Sequence, residues 1–171
     1  YYLPFRQIPV LIINDYSLTQ TGAISRYCGK LSGLYPKNDD FFAAKIDQII
    51  DICTDLTVLF SNYRKNIEIE IDLNKRKEFF NNILMRKIKL LENILLNENY
   101  FKQKNSISIA EIAIWRIFGW FSSGLIEGFP TNFVKEFKTI QMICLKVENL
   151  DFIKKWISKT YHPDFVRGNY T

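Results

Sequence analysis

The distribution of apolar and polar positions divides the chain into a short β-like opening and a long helical remainder. Ile8-Pro9-Val10-Leu11-Ile12-Ile13 is a compact apolar run rich in β-branched residues, and Asn14-Asp15 after it tolerate positive φ in a tight hairpin. Tyr16-Ser17-Leu18-Thr19 then reads as the returning strand. Thr21 reads as the N-cap of a helix through Ala23, Ile24 and Tyr27 that ends near Gly29. Two strands and one helix cannot build a core of their own, so this opening is expected to complete a larger sheet.

From Asn38-Asp39-Asp40 onward the period is helical. Ile46, Ile49, Ile50, Cys53, Leu56 and Phe60 recur at i, i+3, i+4 and i+7, the stripe of a long amphipathic helix. Ile67, Ile69, Ile71 and Leu73 alternate with acidic residues in a strand-like way, but helices flank them, and the segment is assigned as an extended connector. Helical spacing resumes with Phe79, Phe80, Ile83, Leu84, Ile88, Leu91, Ile94 and Leu95. Ser108-Ile109-Ala110-Glu111 is a capping box, in which serine and glutamate satisfy each other's backbone donors. The helix it opens is apolar on nearly every side and is predicted to be the centre of the core. Further helices are predicted over 132–147 and 151–159.

Composition narrows the class. Of 171 residues, 47% are hydrophobic and 24% charged, the balance of a folded globule rather than a disordered chain. The net charge of +5 leaves room for a nucleic-acid or membrane-surface partner, yet 23 basic residues are interspersed with 18 acidic ones. The charge is read as a solvated surface that also suits a small anionic ligand. Cys28, Cys53 and Cys144 are widely spaced within apolar stretches and read as reduced, buried thiols. The single His162 argues against a histidine-rich metal site and a serine–histidine triad. The most apolar stretch, Ile107 to Phe121, contains Glu111 and Arg116 and is too short to span a bilayer. Arg116 is read as a snorkelling or ion-paired side chain, with substrate contact as the alternative.

The order of these pieces carries more than any one of them. Leu3-Pro4-Phe5-Arg6-Gln7-Ile8-Pro9-Val10-Leu11, followed by Leu18-Thr19-Gln20-Thr21-Gly22-Ala23-Ile24-Ser25-Arg26-Tyr27, closely resembles the cytosolic glutathione transferases. The similarity leans to the sigma class, which includes the haematopoietic prostaglandin D synthases. Ile46-Asp47 with Asp51, the capping box, and Asp151-Phe152-Ile153-Lys154-Lys155-Trp156-Ile157 extend the resemblance over nearly the whole chain.

The resemblance implies an α+β, mostly α fold. Residues 1–36 would be the C-terminal part of a thioredoxin-like glutathione-binding domain whose start is missing, and residues 37–171 an all-helical domain. It implies a cytoplasmic, dimeric transferase that conjugates the glutathione thiolate to hydrophobic electrophiles in detoxification. No cofactor is expected beyond glutathione as substrate, and no metal, nucleic acid or membrane. The alternative is a non-catalytic binding or assembly module on the same fold.

Residue by residue, the resemblance implies a cis Ile8-Pro9 peptide that turns the Ile8 backbone toward the cysteinyl part of glutathione, with Gln7 beside it. Gln20 and Thr21 would hold the γ-glutamyl carboxylate at a helix N-terminus, which presents free N–H groups and the positive end of the dipole. Asp55 would reach across a dimer interface to the partner's glutathione. Arg26 would pack at that interface, and Phe5 would pack either there or in the core. Thr54 interrupts a carboxylate cluster found in the prostaglandin synthases, which argues against their metal-assisted behaviour. Arg6 replaces a usual glycine, so the local turn is expected to be absent or strained. Gly22 stands in the first helical turn, where glycine costs about 0.5–1 kcal/mol in a helix interior. The residue that activates the thiol lies, by the resemblance, upstream of Tyr1, and no catalytic residue is assigned in the chain. The electrophile site would draw on Thr57 to Phe60, Ala113 to Ile117 and the C-terminal tail.

Overall fold

The computed structural model describes residues 3–67, 72–98 and 107–171; within them, the side chains of 65–67 are left out. Strands β1 (Val10–Ile13) and β2 (Tyr16–Thr19) pair antiparallel, with Ile13 opposite Tyr16 across the Asn14-Asp15 turn. Of the two turn residues, Asn14 takes the positive φ, at 52°. Pro9 lies one residue before β1, so its missing N–H costs no ladder bond.

Helix α1 (Thr21–Ser32) follows directly, and its N-cap is Gln20 rather than Thr21. It also continues past Gly29, to an αL stop at Gly33 (φ 76°). Gly29 is not a terminator but a contact: a Cβ there would lie 2.9 Å from Ile109 and 3.0 Å from Tyr35. Among the described residues, those of 3–36 that are buried are Gly29 and Tyr35.

The helical body is different. Helix α2 (Asp40–Ile67) starts where Asp39 accepts the Phe42 N–H, and its predicted stripe from Ile46 to Phe60 is buried throughout. Residues 68–71, which carry the expected connector, lie outside the described residues. Asp72 caps α3 (Leu73–Phe79), which runs through a π-helical turn (Phe80–Leu84) into α4 (Met85–Asn97). The π turn inserts an extra residue into the helical phase. Phe79, Phe80, Leu84, Ile88, Leu91 and Leu95 are buried as predicted, while Ile83 turns outward, 45% exposed.

Helix α5 (Ile109–Ser122) is the centre: ten of its 14 residues are buried, and it packs on both α2 and α6 (Lys138–Glu148). Its capping box forms as expected, with Ser108 N–H and Oγ–H on Glu111 at 2.8 and 2.7 Å and Ala110 N–H on Ser108 Oγ. Lys146 adds an ion pair to the fully buried Glu111 at 3.3 Å. The helix predicted over 132–147 is split into a 3-10 turn (Phe133–Glu136) and α6. The α6 N-terminus is capped from outside, by Glu92 of α4 accepting Thr139 and Ile140 N–H at 2.7 and 3.0 Å. An aromatic cluster around Phe60, Phe80, Phe129 and Phe133, with centroids 4.8–5.0 Å apart, fills the far end of the core.

Helix α7 (Asp151–Thr160) leads to a tail that returns along α5. Tyr170 Oη donates to Trp115 C=O, and Gln141 holds the Tyr170 carbonyl at 2.7 Å. The tail and α5 touch backbone to backbone, since a Cβ on Gly168 would stand 2.6 Å from Gly119 Cα. No helix among the described residues is long and apolar enough to cross a membrane.

Candidate functional site

The predicted ligand residues meet where the segment before β1 passes the start of α1. Phe5, Gln7, Ile8, Pro9, Gln20 and Thr21 line one small recess of about 30 Å³. That is room for one end of a ligand, such as a carboxylate, rather than a whole tripeptide. The Ile8-Pro9 peptide is cis, and Ile8 is 85% exposed.

Two positive-φ residues flank the recess, Gln20 at 72° and Arg6 at 51°. The turn at Arg6 is therefore formed and strained, closed by its N–H on Leu3 C=O at 3.0 Å. Gln20 gives α1 no side-chain cap and no acidic residue stands in the first turn. The leading N–H groups of α1 thus face the recess with capacity for an outside acceptor. At Gly22 a Cβ would stand 2.9 Å from Arg26 Nη1, the mobile end of a long side chain, so the space there does not by itself require glycine.

Arg26 ties this region to the helical body. Its Nε and Nη2 donate to Asp47 and Asp51 at 2.7 and 3.0 Å, and Tyr35 Oη donates to Asp47 at 3.0 Å. Burial opposes the Arg26 charge, but the hydrogen bonds it donates to Asp47 and Asp51, with the attraction of both carboxylates, outweigh it and hold its pKa above the usual value. For Tyr35, burial and then the Asp47 bond raise the pKa. The sequence pattern contains Asp47 and Asp51 but nothing in it pairs them with Arg26. Phe5 is 61% exposed, which excludes core packing within the chain. Asp55 is exposed on α2 and does not line the recess.

A second cavity of about 290 Å³ opens from the same place, between α1, α2 and α5, and shares Thr21 with the recess. Cys28 and Cys53 both line it. Cys28 is exposed, contrary to expectation, because α1 has little of the body packed over it; Cys53 and Cys144 are buried. Burial pushes the Cys53 thiol up to about 12 despite the pull of Arg116, so it is a packing residue rather than a nucleophile. Arg116 is not ion-paired among the described residues; its Nη2 donates to Thr57 Oγ1 at 3.0 Å. It stands between this cavity and a third beside α7. Among the described residues no group of three His, Cys, Asp or Glu is placed to hold a metal.

A hairpin and helix set against an α-helical body with a central capped helix is the architecture of the glutathione-transferase fold. In the solved structure of the Onchocerca volvulus Pi-class glutathione S-transferase the match has a TM-score of 0.74 at 18% identity, over 92% of this chain and 72% of that one. A Caenorhabditis elegans glutathione S-transferase structure matches with a TM-score of 0.70 at 24% identity, over 94% and 77%. By sequence, residues 56–160 match the family described as glutathione S-transferase, C-terminal domain. Similar curated proteins include the hematopoietic prostaglandin D synthase of Gallus gallus, 26% identical over 92% of this chain and 74% of that protein. The probable glutathione S-transferase 6 of C. elegans is 28% identical over 95% and 77%. The chain belongs to the glutathione S-transferase family.

Proposed function

We propose that the protein is a cytoplasmic glutathione transferase that works as a homodimer, joining the glutathione thiolate to hydrophobic electrophiles in detoxification, with glutathione as substrate and no further cofactor. The observation that carries this reading is the convergence of Gln7, Ile8, Pro9, Gln20 and Thr21 on one recess at an uncapped helix N-terminus. There the γ-glutamyl carboxylate takes the leading N–H groups of α1 and the Thr21 hydroxyl. The exposed Ile8 backbone pairs with the cysteinyl part as an added strand would. Asp55, exposed on α2, suits a contact to the glutathione of a partner subunit, and exposed Phe5 suits the same interface. The chain's own residues hold and orient the ligand; none is assigned to activate the thiol.

Calorimetry with glutathione on the full-length protein tests this. Binding is expected, and Thr21→Val is expected to weaken it about tenfold through loss of one hydrogen bond to a charged group. Absence of binding at millimolar glutathione would overturn the reading. Binding without conjugation of an electrophile such as chlorodinitrobenzene would favour the non-catalytic module instead.

A further inference from the structure

The motif Asp151-Phe152-Ile153-Lys154-Lys155-Trp156-Ile157 has no part in the ligand recess. It forms most of α7, a helix of ten residues in which Ile153 is the one that is buried. Phe152, Lys155, Trp156 and Lys159 stand at i, i+3, i+4 and i+7, so they make one stripe along the helix. The stripe is open to solvent: Phe152 is 50% exposed, Trp156 43%, and both lysines are exposed. Two half-exposed aromatic side chains one turn apart are not a scatter of single apolar residues, and a patch of this kind marks a contact surface.

The patch continues past the helix. Trp156 meets Tyr161 edge-on at 5.4 Å, and Tyr161 stacks on Phe165 at 4.7 Å, which brings both to the C-terminal end of the stripe. Val166, next in the chain, is 57% exposed. Among the described residues neither Lys155 nor Lys159 is ion-paired. Lys154 adds a third exposed cation beside them. Residues 151–167 carry four basic and two acidic side chains, and the acids lie off the stripe. Asp151 stands in the first turn of α7, and Asp164 lies 3.2 Å from His162 Nδ1.

Aromatic rings flanked by lysines suit the boundary of a bilayer. The rings settle at headgroup level, while lysine stems lie along apolar surface and carry their charge to anionic lipids. A nucleic acid would instead need free ring faces for its bases. Here Phe165 is already stacked on Tyr161, and aliphatic Val166 offers a base nothing to stack on.

We propose that the α7 stripe docks the protein peripherally on anionic phospholipid surfaces. Phe152 and Trp156 enter the headgroup boundary, and Lys154, Lys155 and Lys159 face the anionic lipids. This departs from the expectation of no membrane partner, which averaged the charge over the whole chain. The docking takes nothing from the transferase reading and stands whether or not glutathione binds.

The test is co-sedimentation of the full-length protein with vesicles of phosphatidylcholine, alone or with about one third phosphatidylserine. Binding to the anionic vesicles is expected to be at least about tenfold tighter than to the neutral ones, and to weaken as salt is raised. Lys155→Gln and Lys159→Gln should each weaken it about fivefold. Phe152→Ser should weaken it about tenfold without changing the salt dependence. The control is Lys77→Gln with Lys89→Gln, exposed on α3 and α4, which lowers the net charge as much as the α7 pair does and should change binding less than about twofold. Equal binding to the two kinds of vesicle, or equal losses from the control and the α7 pair, overturns the proposal. So does binding of a DNA or RNA oligonucleotide through the same lysines without binding of vesicles, which would assign the stripe to nucleic acid. The unaltered protein and the lysine variants decide the matter even if Phe152→Ser loses its fold.

Discussion

The hairpin with α1 and the helical body are held by different physics. The body is an apolar interior organised around α5, with Phe118, Ile114 and Ile117 at 0% exposure. Among the described residues of the hairpin and α1, Gly29 is the one that is buried. These elements are attached through one glycine contact, the Ile109 N–H on Leu34 C=O at 3.0 Å, and the Arg26–Asp47–Asp51 cluster. Among the described residues the candidate ligand recess therefore sits on the part held mainly by polar contacts. Ligand-binding segments are commonly drawn from the less stable end of a molecule, and ligand then contributes to their order.

The sharpest challenge to this contrast is a paired truncation. Phe118→Ala, in the body, is expected to cost about 3–5 kcal/mol, read as a fall in the urea midpoint. Ile12→Ser, at 48% exposure on β1, should stay within about 0.5 kcal/mol. Equal losses would mean that the two regions share one core. Next in size is Glu111→Ala, which removes the capping box and the Lys146 ion pair together and should cost about 2–3 kcal/mol. Glu92→Ala removes the cap that α4 gives α6 and should cost about 1 kcal/mol, again in the urea midpoint.

Arg26→Ala sharpens the comparison at the junction. Its pairs are partly exposed, so the global loss should be about 1 kcal/mol or less and shrink with salt. Hydrogen exchange should nevertheless rise through residues 21–32 and leave α5 unchanged. The smallest effect is at Asp72, where the Lys75 backbone N–H, with that of Asn74, holds the carboxylate pKa below its usual value. The sign follows: its contribution to stability is complete above the ordinary aspartate range and is lost as pH falls through the lowered folded value. Asp72→Ala should therefore be slightly less acid-sensitive than the parent in a pH series of melting temperatures.

Local features were legible in the sequence and non-local ones were not. The α2 stripe and the Ser108–Glu111 box depend on spacings of three or four residues, and both are found as read. The exposure of Ile83 was hidden because a π turn leaves no mark in an apolar pattern of period 3.6. Gln20, not Thr21, occupies the N-cap position of α1, at a positive φ that sequence assigns first to glycine or asparagine, and its side chain makes no cap. The Glu92 cap and the Arg26 cluster join residues more than twenty positions apart, and nothing local announces them. At the site, the family pattern named the recess residues correctly as neighbours. Of the segments expected to form an electrophile site, the stretch Ala113 to Ile117 and the C-terminal tail meet at the cavity beside α7, through Trp115, Arg116, Tyr161, Phe165 and Arg167, whereas none of Thr57 to Phe60 lines it.

That path has a consequence for assembly. Gly168 meets Gly119 without room for a methyl group between them, and Arg167 is its neighbour in the chain. The cavity beside α7 is thus bounded by a contact between distant segments, whose loop entropy is overcome only after α5 and α6 have formed a surface to receive them. It should be the last part of the body to assemble. A version ending at Tyr161 would keep the buried stripe of α2 and most of α5 intact, yet lose Phe165 and Arg167 from the cavity beside α7 and leave the Gly119 face of α5 uncovered.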